Sequence, residues 1–425
     1  MSAPKTSRKK AIVVGAGAVG ASSAAYLQRD GFDVTMFDPD GMGRGCGEGT
    51  VGIFATNIIA PASSEGGVKA MLAAAKSDKL DTLMVNKPHL PDFLPWLASF
   101  VSASGPQTFE AGKKVLQEAQ SLAVSTVRDI MGGAAFDAHA EERGWMFAYE
   151  SEEAFQAAQG DRDLRKRHGV VLEEIGEAEI RELEPDLPSI FKRATLFPRA
   201  YHTADVRKMV SAIGDVALRG GATLQQRAVD AVQCLSDGSF SVTAGGETFA
   251  ADVVVIAAGP HSSKFADDLG SPIPHSAERG YGVTFPKAAI KLNRPVTFTK
   301  QKMVAAPMAA GLHLISTGEF APLETAPDYR HTDNLTAAGS SIFSGLNTEG
   351  ASRWSGWRST VTDGLPVIGE SPRHKGLMFA FGHSHLGLTL AGLSGSLISA
   401  LAMGRKPVMD VAPFRVDRFS LVPKV

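Results

Sequence analysis

What most limits the fold of this chain is a Gly15-x-Gly17-x-x-Gly20 turn that follows directly on the apolar run 11–14. Each glycine has a physical task. Gly15 permits the turn, Gly17 lets backbone N–H groups approach a pyrophosphate, and Gly20 allows close helix–strand packing. Residues 18–28 are small and apolar, which suits a helix laid on a sheet. Residues 34–37 read as a second buried strand ending in Asp38, the acid expected about 20 residues past the motif to hold a ribose hydroxyl. The motif alone would be weak. Strand, turn, helix, second strand and terminal acid together predict a β-α-β unit that cradles a dinucleotide, with the helix N-terminus adding partial positive charge. A glycine-rich turn without a ligand would account for the turn but not for Asp38.

At 425 residues, with 44% hydrophobic and 21% charged residues, the chain predicts two or three compact lobes with ample core. A net charge of −2 supplies no general attraction to nucleic acid, so small molecules are the expected partners. The basic runs 5–10 and 162–167 read as a frayed terminus and a solvated helix face. Cys46 and Cys234 are the only cysteines, which excludes a disulfide framework and a Cys-based zinc site and suits a reducing compartment. No stretch reaches the roughly 18 apolar residues of a membrane span, and no signal peptide is visible. The expectation is a cytoplasmic protein, at most peripheral to the inner face of a membrane.

Residues 41–63 are rich in Gly, Ala, Ser and Thr and read as a loop that lets a ligand approach the backbone. Residues 69–130 and 151–185 predict mainly helix, broken near Pro88, Pro91 and Pro95. Val206–Arg219 predicts an amphipathic helix stopped by Gly220-Gly221. Strands over 240–243, 248–251 and 253–257 follow, the last ending at Ala258-Gly259 and returning to the first sheet. Residues 274–343 predict a separate antiparallel sheet for substrate. Near Gly387-Leu388-Thr389 a second helix N-terminus becomes available to an anion. The predicted fold class is α/β: a discontinuous Rossmann-like nucleotide domain (1–80, 200–272 and 350–425) with a second α+β substrate domain on an antiparallel sheet (81–199 and 273–349).

The segments Val13-Val14-Gly15-Ala16-Gly17-Ala18-Val19-Gly20, Leu183-Glu184-Pro185, Glu278-Arg279-Gly280-Tyr281, Thr362-Asp363-Gly364-Leu365-Pro366-Val367-Ile368-Gly369 and Gly382-His383-Ser384-His385-Leu386-Gly387-Leu388-Thr389 occur in an order and spacing that is jointly specific. In them the chain resembles the FAD-dependent amine and amino-acid oxidoreductases of the D-amino-acid oxidase superfamily, closest to bacterial D-amino-acid dehydrogenases. Glu-Arg-Gly-Tyr and the Gly-His-x-His-Leu-Gly-Leu-Thr segment look most like dehydrogenases of D-hydroxyproline and other cyclic or secondary D-amino acids.

The resemblance implies a non-covalent FAD held by Gly15, Ala16, Gly17, Ala18, Val19, Gly20, Asp38, Pro39, Thr50, Val229, Ala258, Gly259, Gly382, Gly387, Leu388 and Thr389. It places Arg358 where relatives grip the substrate carboxylate, a task suited to the guanidinium fork. Tyr281 would add a hydroxyl to that carboxylate, Arg279 would brace the sheet or line the flavin edge, and His383 and His385 would line the flavin pocket or brace its loop. Two histidines without an acid or Cys cluster fall short of a metal site. Sarcosine-oxidase-like relatives tether flavin through a late cysteine, and here none follows Cys234. Their Asn-Ala-Gly flavin loop is matched only loosely by Ala55-Thr56-Asn57.

The implied chemistry passes a hydride from the Cα–H of a neutral amine to flavin N5, giving an imine that hydrolyses to a 2-oxo acid or cyclises. No general base is required. Oxygen, a quinone or a carrier protein would each serve as electron acceptor, a quinone implying peripheral membrane contact. Rival readings are a sarcosine, glycine or opine oxidase of the same superfamily, a nicotinamide-dependent dehydrogenase, and a non-catalytic FAD-binding subunit.

Overall fold

The computed structural model describes residues 8–76, 80 and 83–419; Lys5, Thr6 and Ser7 of the basic run lie outside them. The apolar run and its glycine turn build what their pattern requires. Strand Lys10–Val14 leads into helix Ala18–Arg29, and strand Asp33–Phe37 returns parallel to the first. Strand Val253–Ile256 lies on the other side of Lys10–Val14, also parallel, with Val14 opposite Ile256. Thr223–Gln225 and Leu377–Phe381 extend the parallel sheet outward on its two sides, and Val367–Glu370 closes one edge antiparallel.

Alternation along these strands explains both faces. Ala11, Val13, Val34, Met36, Val253 and Val255 point into a core shared with helices Ala18–Arg29, Val206–Arg219 and Ala391–Ala402. Ile12, Val14, Phe37, Val254 and Ile256 point the other way, against Val232, Phe240 and Val242 of an antiparallel meander formed by Val229–Cys234, Phe240–Ala244 and Glu247–Ala251. A sheet with both faces covered calls for near-continuous apolar runs, as in residues 11–14 and Val253–Ile256.

The second lobe is a large, mostly antiparallel sheet. Its order runs Ser352–Val361, His275–Phe285, Gly311–Phe320, Met303–Met308, Val296–Phe298, Trp145–Tyr149, Arg193–Phe197, Glu173–Gly176. Glu184 of the Leu-Glu-Pro segment is fully buried and accepts from Arg294 Nε at 2.8 Å and Asn293 N at 2.8 Å. That segment therefore clamps the loop entering the central strands.

The two lobes exchange segments differently from the sequence expectation. Strand Ser352–Val361, placed by its pattern with the nucleotide lobe, is the edge of the substrate sheet, paired with His275–Phe285 over its whole length. Helices Pro106–Ser121, Ala123–Met131 and Gly133–Asp137, expected with the substrate lobe, send Leu116, Ala119, Val127, Ile130 and Phe136 into the nucleotide lobe's helix-side core. Helix Arg330–Ile342 interrupts the stretch expected to be β-rich.

Candidate active site

Gly15 has φ +103°, and a Cβ there would stand 2.4 Å from the Ala257 carbonyl oxygen. A Cβ on Gly20 would stand 2.0 Å from the Gly15 carbonyl oxygen. Both glycines are thus fixed by backbone contact. Gly17 differs: it is the N-cap residue of helix Ala18–Arg29, and a Cβ there would meet nothing within 4 Å. The space in front of Gly17 and the uncapped first turn, where Ala18 and Val19 are partly exposed, is a cradle with room for a phosphate group.

The Asp38 carboxylate is engaged by backbone donors on both sides. Its Oδ2 accepts from Ala16 N at 2.9 Å, and its Oδ1 accepts from Asp40 N and Gly41 N at 3.0 and 3.1 Å. The acid therefore ties the glycine turn to the following loop, with lone-pair capacity left for a further donor. Pro39 is exposed beside it. Beyond the carboxyl ends of Asp33–Phe37 and Thr223–Gln225 opens a cleft of about 340 Å³ lined by residues including Gly41, Arg44, Arg207 and Gln226. Ligands of parallel sheets bind on that side.

The remaining expected cofactor residues lie on separate segments. Ala258 and Gly259 follow the central strand, Gly259 with φ +56°. Val229 opens the meander. Thr50 donates its hydroxyl to the Gly47 carbonyl, holding the 41–63 loop in a tight turn. Thr389 is buried, and its hydroxyl oxygen accepts from Ala55 N at 2.9 Å, which pins that loop to the start of the C-terminal helix. Gly387, Leu388 and Thr389 form a turn, and the helix begins at Ala391, slightly later than expected. Gly382 takes φ +78° where the chain leaves strand Leu377–Phe381.

Arg358 is 7% exposed and stands directly opposite Glu278 in the strand register. Its Nη1 donates to Glu278 Oε1 at 2.9 Å. Gly280 makes room for the guanidinium, since a Cβ there would lie 2.5 Å from Arg358 Nη2. The other Glu278 oxygen stands 3.3 Å from Nε2 of His385, which reaches over from the loop after strand Leu377–Phe381 and is 54% exposed. Burial pushes the Glu278 carboxyl up, but His385 and Arg358 outweigh it and hold the group at about 2.

Two expected catalytic residues lie elsewhere. Side chains alternate across a strand, so Tyr281 faces away from Glu278 and Arg358. It is 0% exposed, stacks on His331 at 4.4 Å, donates its hydroxyl to Glu319 Oε2 at 2.9 Å and accepts from Asp328 N. Arg279 lies on that same far side, 3.9 Å over the Trp357 ring and donating to the Thr325 carbonyl, so it braces the sheet. His383 is buried 2.8 Å from the Ser394 hydroxyl, which itself donates to the Leu390 carbonyl. The serine's single proton is used there, so His383 Nε2 is the donor. Burial pushes its pKa down to about 3, making it a neutral brace between loop and helix. The two histidines turn to different partners, and among the described residues no His, Cys, Asp and Glu cluster could hold a metal ion. The sequence alone gives Glu278 no role, and only its cross-strand register with Arg358 singles it out; His385, expected with His383 to line the flavin pocket or brace its loop, reaches Glu278.

A family profile described as "DAO: FAD dependent oxidoreductase" matches residues 10–401. The chain belongs to this family. Its cofactor is FAD, which the open cradle at Gly17 and the uncapped helix end fit. The chain is 30% identical over 96% of its length to a D-amino-acid oxidase of Bradyrhizobium diazoefficiens, covering 98% of that protein. It is 24% identical to D-amino acid dehydrogenase 2 of Mesorhizobium japonicum, over 94% of this chain and 98% of that one. The glycine oxidase structure from Geobacillus kaustophilus superposes with a TM-score of 0.72 at 20% identity, covering 97% of this chain and 99% of its own. The DAO-family fold thus spans almost all of the chain. Among the described residues, no helix is long and apolar enough to cross a membrane.

Proposed function

We propose that this DAO-family flavoenzyme oxidises the Cα–N bond of a D-amino acid, with Arg358 holding the substrate carboxylate. One observation carries the reading: a buried guanidinium, anchored on one side by Glu278, stands where the edge of the substrate sheet meets the loop that runs from Gly382 to the C-terminal helix. A planar fork in a buried setting suits a carboxylate far better than a point charge. The names of the two relatives support the D configuration, and the Glu-Arg-Gly-Tyr segment points within that class to cyclic or secondary amines such as D-hydroxyproline.

Bound FAD supplies the acceptor for the hydride leaving Cα. The chain's own residues orient and desolvate. Arg358 fixes the carboxylate end and so aims Cα. Thr389 and Ala55 lock the loop to the C-terminal helix, whose N-terminal end favours negative charge developing beside it. The imine product hydrolyses to a 2-oxo acid; if the amine lies in a ring, the product is a cyclic imine that hydrolysis would open.

The test is an anaerobic screen of the purified yellow protein for bleaching of the flavin band, using D- and L-amino acids, D-hydroxyproline, glycine, N-methyl amino acids and opines. Bleaching by D-amino acids is expected. Bleaching confined to glycine, sarcosine or opines would move the chain to those substrates, and no bleaching by any amine would leave it a non-catalytic FAD protein. Reoxidation of the bleached protein by oxygen, a quinone or neither then separates the acceptors.

A further inference from the structure

Glu278 is a buried carboxylate with two partners on two different parts of the molecule. Arg358 belongs to the adjacent strand of the substrate sheet; His385 belongs to the loop between strand Leu377–Phe381 and helix Ala391–Ala402, in the nucleotide lobe. That loop is held at three further points. His383 bonds Ser394, Ser384 N bonds the Ser359 carbonyl at 2.8 Å, and Thr389 receives Ala55 N. Ser384 also takes φ +50°, a left-handed conformation that a non-glycine residue keeps only where its surroundings impose it.

From this we infer that Glu278 is a positioning residue that locks the carboxylate-gripping guanidinium to the flavin-side loop, setting where a bound substrate sits relative to the cofactor. The inference rests on the proposed role of Arg358. One carboxylate oxygen orients the guanidinium, and the other draws in the His385 ring. Length matters as much as charge: a side chain one methylene shorter keeps the charge but no longer spans both partners. A misplacement of about 1 Å between reacting groups is enough to cost on the order of 10²-fold in rate.

The experiment uses the flavin-loaded protein and two readouts. Propionate, a monocarboxylate, is titrated against the oxidised flavin absorption band to give a Kd, and the limiting rate of anaerobic flavin reduction is measured with the best substrate from the screen. Flavin-loaded Glu278→Asp, Glu278→Gln, His385→Ala and Arg358→Lys are compared, with thermal melting as the folding control. Glu278→Asp is expected to weaken propionate by about tenfold and to slow the limiting rate by on the order of 10-fold or more. Glu278→Gln, which keeps the reach, is expected to lose less in both. His385→Ala is expected to slow the limiting rate more than it weakens propionate. Tighter propionate binding in Glu278→Gln with unchanged behaviour in Glu278→Asp would overturn the inference, because the carboxylate would then only screen the arginine charge. An unchanged propionate Kd in Arg358→Lys would instead sink the carboxylate reading of Arg358 itself.

Discussion

Replacing Arg358 by Lys keeps a positive charge and discards the planar fork, so the KM for a good substrate should rise sharply, by about tenfold or more. Unchanged KM values across good substrates would remove Arg358 from the site. Tyr281→Phe makes the opposite contrast. The hydroxyl is held by Glu319 and the Asp328 amide behind the sheet, so its loss should cost about 1–2 kcal/mol of stability in a denaturant melt and leave KM unchanged. A raised KM in Tyr281→Phe would place the ring back at the substrate. The two residues also show what single positions reveal in a sequence. At Arg358 the chemistry of the guanidinium and its place before Asp363-Gly364 point the same way, and the fold adds its burial opposite Glu278. At Tyr281 the motif names only a residue type, whereas the face of the strand it occupies decides what it touches: Glu319 and the Asp328 amide. Glu278 shows the converse: only the cross-strand register with Arg358 brings an otherwise ordinary acid against that guanidinium.

Helix Ala391–Ala402 is buried on nearly every side, and its contact with helix Ala18–Arg29 is close enough that a Cβ on Gly395 would stand 2.6 Å from the Ser22 carbonyl carbon. Gly395→Val should therefore separate the two helices that flank the cofactor crevice. The expected cost is about 1–3 kcal/mol, with weaker retention of FAD on dilution. Gly160→Ala, where a Cβ meets nothing within 4 Å in helix Gln159–Arg167, is the matched control and should be neutral or stabilising by up to about 1 kcal/mol. Thermal melts of both variants decide this, and an unperturbed Gly395→Val would show that the helices can part freely. Elements with strong local signals were the readable ones. Val206–Arg219 carries a clear helical stripe, an Asp205 cap and a Gly-Gly stop. Met84–Val85, by contrast, is a strand only because Glu319–Phe320 pairs with it. Nothing within a few residues of it announces the pairing, and it lies inside the stretch 69–130 whose pattern reads mainly as helix.

Across the whole molecule, His202, His313 and His383 are buried and held neutral, burial pushing them down to about 4, 4 and 3. A depressed histidine value means that the unfolded chain takes up protons first as pH falls. Stability should therefore decline from pH about 6.5 toward 4, each ring contributing up to about 1.4 kcal/mol per pH unit within that window. Glu278 acts lower: held at about 2, it contributes stability above the ordinary carboxylate range that is lost only as pH drops further. Denaturant melts at pH 7 and pH 5, with His313→Asn flattening the difference, check the sign; equal stability at the two pH values would contradict it. At this scale the division into two lobes was readable, because strand signals recur on either side of helical stretches. The exchange of segments between the lobes was not, because it depends on partners far apart in the chain. That exchange has a consequence for biosynthesis. The fingerprint strand Lys10–Val14 leaves the ribosome early, but its neighbour Val253–Ile256 and the next strand Leu377–Phe381 are translated much later. The parallel sheet behind the fingerprint is therefore complete only once the last third of the chain has been made.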